Sequence, residues 1–494
     1  MNLSKSKYCR GLQCPKMLWM EKYMPEEAVD PGNEAILETG NLVGDLAMGY
    51  FGDFTEVPYS DDKQDMVDET KRLIECGTEN ICEASFFFEN LYCAVDILKK
   101  NGDGWDIVEV KSSTHISDIY LHDMAFQCYV LRGCGLKIKN VFNLHIDSSY
   151  VRYGELDLHK FLMLEDCTAT VENLLPGIYE NIRYICDYVD DAGSDEPDRE
   201  LTAACNTPYQ CVFKNYCYRN IPSPSVFDIA GMRTTTKYSL YNSGIVSFDD
   251  IISRKPKLNK NQLLQVESEY YNREPYVYKE EIRACLKDFT FPLYHLDFET
   301  TSFAIPPYDG MSPYEQLPFQ YSLHIERKEG EEPEHREFLA KEGTDPRRAL
   351  AESLCRDIPD NVRVLAYNMS FEKGVIKRLA SMFDDLSGHL MKIHDNIRDL
   401  MTPFSNKLYY DKNFMGSYSI KYVLPAMCPG DPELNYAALN QIHKGDQASA
   451  AFADLANHTP EEIAETRKNL LAYCRLDTLA MVRILEKLRE IIKD

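Results

Sequence analysis

Asp297 and Glu299 stand at alternate positions of the apolar run LYHLDFET, so in a strand both side chains leave the same face. Unpaired charge on a buried strand is costly, and a divalent cation compensates two carboxylates best. Near the C-terminal end, YCRLDTLAMVRIL sets Tyr473 and Asp477 four residues apart on a helix, where they share one face and can enter one cleft. Between these motifs, YNMSFEKGVIKRL places Asn368 and Glu372 just after a strand, at the start of a helix. Asp399 follows in IRDLMTPF. The run GSYSIKYVLPAM, with Ser417, Ser419 and Lys421, reads either as the binding side of that cleft or as a helix start before a Leu/Val core.

A second constellation lies upstream. Asp96 sits in CAVDIL, and WDIVEVKSS carries Glu109 and Lys111 on one face of the next strand. Two acids so placed would bind Mg2+, with the lysine positioning a water or helping to deprotonate it near phosphate; a salt-bridged strand surface is the other reading of the same residues. Gln127 follows on the next helix, and Asp45 follows Gly44 in the helical TGNLVGDLAMGYF. Of the 16 cysteines, most read as small buried hydrophobes. Cys205, Cys211 and Cys217 differ: they recur every six residues in CNTPYQCVFKNYC, with Cys14 far upstream in QCPKMLW and Cys9 as its alternative.

Three regions position these groups. Residues 1–220 open with a Cys-rich helix, carry strand-like runs (SFFFENLYCAVDIL, WDIVEVKSS, VFNLHI) and helices near 119–133 and 167–189, and close with the Cys-rich loop. The acidic DDAGSDEPDRE at 190–200 is a solvated loop. Residues 221–288 begin with the linker signature IPSPS and continue as a helical connector, in which LYNSGIVSFDDI is similar to a helix-hairpin-helix. Residues 289–494 start with the LYHLDFET strand, then FQYSLHIE and a hairpin to FLA, then VRVLAYN and helices. The last helix begins at Thr459, with Pro460 in its first turn and Glu462 closing a capping box.

The C-terminal motifs resemble those of DnaQ-like, DEDD-type exonucleases of the ribonuclease H-like superfamily. The DxE pair is Asp297 and Glu299, the YxxxD pair is Tyr473 and Asp477, and the middle motif is Asn368-Met-Ser-Phe371-Glu372, with Glu372 where Asp is usual. The resemblance implies two Mg2+ or Mn2+ ions held by Asp297, Glu299, Glu372 and Asp477, with Asp399 as the reserve for Glu372 and Tyr473 orienting the attacking water for 3′→5′ hydrolysis. The N-terminal residues resemble RecB-like PD-(D/E)xK nucleases that carry an iron–sulfur cluster, such as the CRISPR-associated adaptation nuclease and the AddB nuclease domain. That likeness implies Asp96, Glu109, Lys111 and Gln127 as catalytic residues. It also implies Cys14, Cys205, Cys211 and Cys217 as ligands of a 4Fe–4S cluster, with tetrahedral Zn2+ as the competing occupant. Two positions depart from the pattern: Leu131 stands where a QxxxY tyrosine belongs, Tyr129 being nearest, and Gly44 stands where the family carries a metal-binding His, leaving Asp45 as substitute.

Taken whole, the chain resembles a bacterial family that joins these two nuclease folds. The implied class is α/β multidomain, with an N-terminal restriction-endonuclease-like core and a C-terminal ribonuclease H-like domain. The implied function is a metal-dependent nuclease with 3′→5′ exonuclease activity on DNA and a second site in the N-terminal domain, acting in repair, recombination, defence or end processing. RNA as substrate, or a DNA-end-binding scaffold with inactive sites, are the alternatives. The bulk properties accord with this. At 494 residues several cores are needed, and 44% hydrophobic with 27% charged residues is ordinary for a globular protein. No apolar run is long enough to span a membrane, and no apolar signal segment follows the basic N-terminus, so a cytoplasmic location is the simplest expectation. A formal charge of −25 argues against a broad polyanion-binding surface and confines nucleic-acid contacts to grooves.

Overall fold

The computed structural model describes residues 1–493 apart from 31, 33, 437 and 438. They form a multidomain α/β molecule of two compact units, Met1–Ile221 with Phe303–Glu315, and Pro222–Ser302 with Gln316–Asp494. The connector region therefore clusters with the second unit. The Phe303–Glu315 loop clusters with the first, because the Arg152 guanidinium donates to the Pro306 carbonyl at 2.7 Å and Ala304 is buried beside Tyr150 and Phe161.

The first unit is built on a mixed sheet. Its strands are β1 (Leu3–Ser4), β2 (Thr55–Glu56), β3 (Asn80–Phe88), β4 (Leu91–Asn101), β5 (Gly104–Lys111), β6 (Ile138–Ile146) and β7 (Leu162–Asp166). The order is β2-β3-β4-β5-β6-β7, with β1 parallel to β4. β3, β4 and β5 form an antiparallel meander, and β6 runs parallel to β5. In β4 the period of two buries Leu91, Cys93, Val95 and Ile97 and leaves Tyr92, Ala94 and Asp96 on the half-buried face. The helices that matter are α1 (Lys5–Gln13), α2 (Pro15–Tyr23), α3 (Glu34–Met48), α4 (Asp118–Gly133) and α5 (Thr168–Ala192). The single Cys-rich helix read from the sequence is broken in two. Pro15 has no N–H and forces its predecessor out of the helical region, so Cys14 is extended at φ −161°, ψ 108° and forms the elbow between α1 and α2.

In the second unit, β8 (Tyr276–Val277) pairs with a distant strand, Tyr409–Tyr410. The main sheet holds β9 (Leu293–Thr301), β10 (Leu317–Glu326), β11 (Glu334–Leu339), β12 (Arg363–Ala366) and β13 (Ile397–Asp399). Its order is β11-β10-β9-β12-β13, with the first three antiparallel and β12 and β13 parallel to β9. Four helices serve the site: α6 (Met369–Met382), α7 (Ile420–Met427), α8 (Gly445–Ala453) and α9 (Pro460–Lys493). The capping box at the start of α9 is present: the Thr459 N–H donates to Glu462 at 3.0 Å and the Glu462 N–H to the Thr459 hydroxyl at 3.4 Å. α9 is pinned to β10 by the Gln320 amide donating to the Leu470 carbonyl at 2.9 Å, and by Thr478 bonded to Ser322 and His324, each at 2.7 Å. In the connector, helices Thr234–Asn242 and Phe248–Arg254 flank Gly244, whose φ of +77° is the left-handed turn between them. No helix is long and apolar enough to cross a membrane among the described residues.

Candidate functional site

The central strand β9 places Asp297 and Glu299 on the face covered by α9, opposite Ser322 and Gln320 of β10. Asp477 comes from α9, and Tyr473 lies one turn before it, 3% exposed. Among the described residues, Asp297, Glu299 and Cys474 form a group whose ligand atoms all lie within 4.8 Å of one another. Cys474 is a poor partner for a hard cation: burial, with Asp297 and Glu299 close by, drives its thiol pKa far up, and its S–H points at Asp297 at 3.9 Å. Glu372, in the first turn of α6, is 2% exposed, and its Oε2 is buried without a hydrogen-bond partner.

The electrostatics follow from the crowding of acids. Burial, then the charges of Asp477, Glu299 and Glu372, raise Asp297 far above the usual carboxylate range. Burial and Asp477 push Glu299 up to about 8, against the pull of Lys421. Glu372 rises to about 8 through burial, with Asp399 adding to it, and Asp477 to about 6 through burial, relieved by Tyr436 and Lys421. Such a cluster either holds protons or holds cations. Asp399 has a different task from that of a reserve ligand: its carboxylate accepts the backbone N–H groups of Asn368 (3.1 Å), Met369 (3.3 Å) and Met401 (2.9 Å). It thereby supports Asn368 at φ +74°, the turn that aims α6 and Glu372. Ser417 and Ser419 form the turn before α7, with the Ser419 N–H on the Ser417 hydroxyl, and Lys421 is exposed in the first turn of α7.

The first unit brings Asp96, Glu109, Lys111 and Gln127 together. Asp96 and Glu109 lie one step beyond the Ile97–Val108 pair of β4 and β5. The Gln127 amide donates to Glu109 at 2.6 Å and to Asp123 at 3.2 Å, and the Lys111 ammonium bridges Glu109 and Asp123. Lys5 adds a second ammonium, 3.1 Å from Glu109. Although burial works against it, Lys111 and Lys5 hold Glu109 below the usual carboxylate range. Asp45, on α3, is exposed and joins no convergent ligand group among the described residues. Leu131 is buried in the core and Tyr129 packs on Phe88, so neither supplies the missing motif tyrosine.

The four predicted cysteines share one pocket: Cys14, Cys205, Cys211 and Cys217 line it with Met17, Met20 and Phe213. All are free thiols. Burial raises the Cys211 thiol to about 11, because an apolar wall disfavours the thiolate, and the neighbouring thiols add to the rise. Sulfurs around one zinc ion would lie about 3.8 Å apart, given bonds near 2.3 Å. Among the described residues, these four sulfurs do not belong to the groups of three or more ligand atoms that lie within 4.8 Å of one another. Cys9 lines a different groove, with Lys111, Asp123, Tyr120 and Tyr209, so it does not compete with Cys14.

One of the comparisons with known proteins falls on the second unit. A family model described as "Domain of unknown function (DUF2779)" matches residues 294–419. That span takes in Asp297, Glu299, Glu372 and Asp399 and stops before Tyr473 and Asp477. The chain is 26% identical over 208 residues to the "Uncharacterized protein MG366 homolog" of Mycoplasma pneumoniae, covering 38% of this chain and 31% of that protein. The matched segment is thus about a third of the relative's length. No solved structure matches the chain significantly.

Several participants escaped the sequence reading. Tyr436 donates its hydroxyl to Asp477, from a loop with no motif around it. Glu83 stands opposite Asp96, between the pairs Cys82–Ile97 and Ala84–Val95, at φ +55°. Burial and Asp96 push it to about 7. Asp123 is four residues before Gln127 on α4, an i, i+4 spacing that could have exposed it. Lys5 lies 91 residues from Asp96, and no local pattern links them.

Proposed function

We propose that the second unit is a metal-dependent 3′→5′ exonuclease acting on DNA. The observation that carries this reading is the uncompensated cluster of Asp297, Glu299, Glu372 and Asp477. The strand order, with three antiparallel strands followed by two parallel ones beside the first, supports a ribonuclease H-like fold. Divalent ions held by these carboxylates would stabilise the attacking and leaving oxygens of the phosphodiester. The protein's own groups do the rest. Tyr473 presents its phenol beside Asp477 and orients a water. Tyr436 fixes the Asp477 carboxylate. Lys421 attracts the phosphate at the exposed edge of the site.

The first unit supports a companion reading as a PD-(D/E)xK-type core with an iron–sulfur cluster. Its meander, helix and parallel strand set Asp96, Glu109, Lys111 and Gln127 side by side, and its four cysteines line one pocket. Because Lys5 and Lys111 already occupy the oxygens of Asp96, Glu109 and Asp123, a role in gripping a DNA end is favoured over rapid cleavage there. The main test uses 3′-labelled single-stranded DNA and RNA of one sequence with Mn2+. The full chain should release mononucleotides from the DNA, and Asp297→Ala with Asp477→Ala should slow this by about a thousandfold, ~4 kcal/mol of lost stabilisation. An unchanged rate in the double variant would discard the assignment, and faster loss from the RNA would change the substrate.

A further inference from the structure

The N-terminal cluster gathers Glu83, Asp96, Glu109 and Asp123, and Lys111 with Gln127 answers only part of that charge. The other cation comes from outside the constellation. Lys5 Nζ stands 3.1 and 3.3 Å from the two oxygens of Glu109 and 3.5 Å from Asp96 Oδ1. An ammonium and a divalent ion are both compact cations that seek the same carboxylate oxygens, and one that touches both acids excludes the other.

Lys5 is also held at both ends of its helix. β1 pairs with β4 through Ser4 and Tyr92, which delivers the next residue to the strand bearing Asp96. The Ser4 hydroxyl caps α1 by accepting the Lys7 N–H at 3.3 Å. At the other end, the buried Gln13 amide donates to the carbonyls of Ala204 and Tyr209, both at 2.6 Å, on either side of Cys205. A long, flexible side chain on a fixed helix keeps a high local concentration at the carboxylates.

We propose that Lys5 is a tethered cation that competes with a divalent metal ion for Asp96 and Glu109 and keeps the N-terminal cluster metal-poor until it is displaced. The inference rests on the reading of that cluster as a metal site. It is tested by Mn2+ titration of the full chain, followed by electron paramagnetic resonance of free Mn2+, in an Asp297→Ala, Asp477→Ala background that silences the other cluster. Lys5→Ala and Lys5→Gln should each bind one Mn2+ at least tenfold more tightly than the parent, and Lys5→Arg should stay close to it. Adding Glu109→Gln should abolish the gain. Tight binding of equal strength by parent and both variants overturns the competition and leaves the metal reading standing. Weaker binding in Lys5→Gln also overturns it, because the lysine would then assist the metal. If neither parent nor variants bind at millimolar Mn2+, the inference and the metal reading fall together.

Discussion

The two units solve the same electrostatic problem in opposite ways. Each places acids at neighbouring positions of a mixed sheet and adds another from a helix: Asp96 and Glu109 with Asp123 in the first, Asp297 and Glu299 with Asp477 in the second. The first brings its own cations, which hold Glu109 below its ordinary range despite burial, while Glu83, Asp96 and Asp123 still rise. The second sets the exposed Lys421 against Glu299 and Asp477, and four acids rise. Side-chain counter-ions hold a buried carboxylate geometry in the absence of metal, whereas their lack leaves the geometry dependent on protons or ions. A cluster that carries its own counter-ions is therefore poised to hold its shape, and one that faces a single exposed lysine to bind.

The strongest way to separate the units is to remove the cysteine pocket. Ligation at structural metal sites can supply folding free energy on the order of 10 kcal/mol. Cys14→Ser and Cys211→Ser should each yield protein that loses iron and brown colour when prepared anaerobically, with the first unit open to limited proteolysis. Release of mononucleotides by the second unit should stay within about twofold, since its carboxylates and core are its own. Iron retained at full stoichiometry in both variants would break the assignment of the four thiols.

A smaller effect comes from pH. Glu299 and Glu372 have folded values near 8 and Asp477 near 6, all above their ordinary range. A carboxyl raised in the fold contributes stability below its unfolded value and loses it as pH rises through the folded value, so the metal-free second unit should weaken between about pH 4.5 and 8. A divalent ion binds the deprotonated forms and reverses the loss. Thermal melts with and without Mn2+ should show a shift of several degrees at about pH 8 and little at about pH 5.5. A larger shift at the lower pH would invert the comparison. In the Asp297→Ala, Asp477→Ala variant the shift should shrink at both.

Much of the second unit could be read locally, because its acidic cluster is built on short spacings. Alternation in LYHLDFET, the i, i+4 pair Tyr473–Asp477 and the Thr459 cap each follow from a period or a cap that the chain writes within a few residues. The partition was less legible. Phe303–Glu315 lies within the β9–β10 connection yet clusters with the first unit through Arg152 and buried Ala304, contacts that carry no sequence period. The same holds at the sites. Glu83 acts through a strand irregularity, Lys5 through the pairing of β1 with β4, and Tyr436 through a loop. Asp399 read as a possible ligand because a carboxylate's residue type cannot reveal whether it faces ions or backbone N–H groups.

Tyr436 offers the finest test of the uncompensated cluster. Its hydroxyl donates to Asp477 Oδ1 and lowers that carboxyl's pKa against the push of burial, so it favours the ionised form. A hydrogen bond to a charged group contributes about 1.5–3 kcal/mol, which sets the scale of its loss. Tyr436→Phe keeps the ring, whose centroid lies 6.1 Å from that of Tyr473, and removes only the donor. Mononucleotide release should fall roughly tenfold. The acid limb of the pH–rate profile should also move upward, because Asp477 without its donor must lose its proton at higher pH. A fall in rate with an unmoved acid limb would reduce Tyr436 to a packing residue and leave the ionisation of Asp477 to Lys421 and Tyr473.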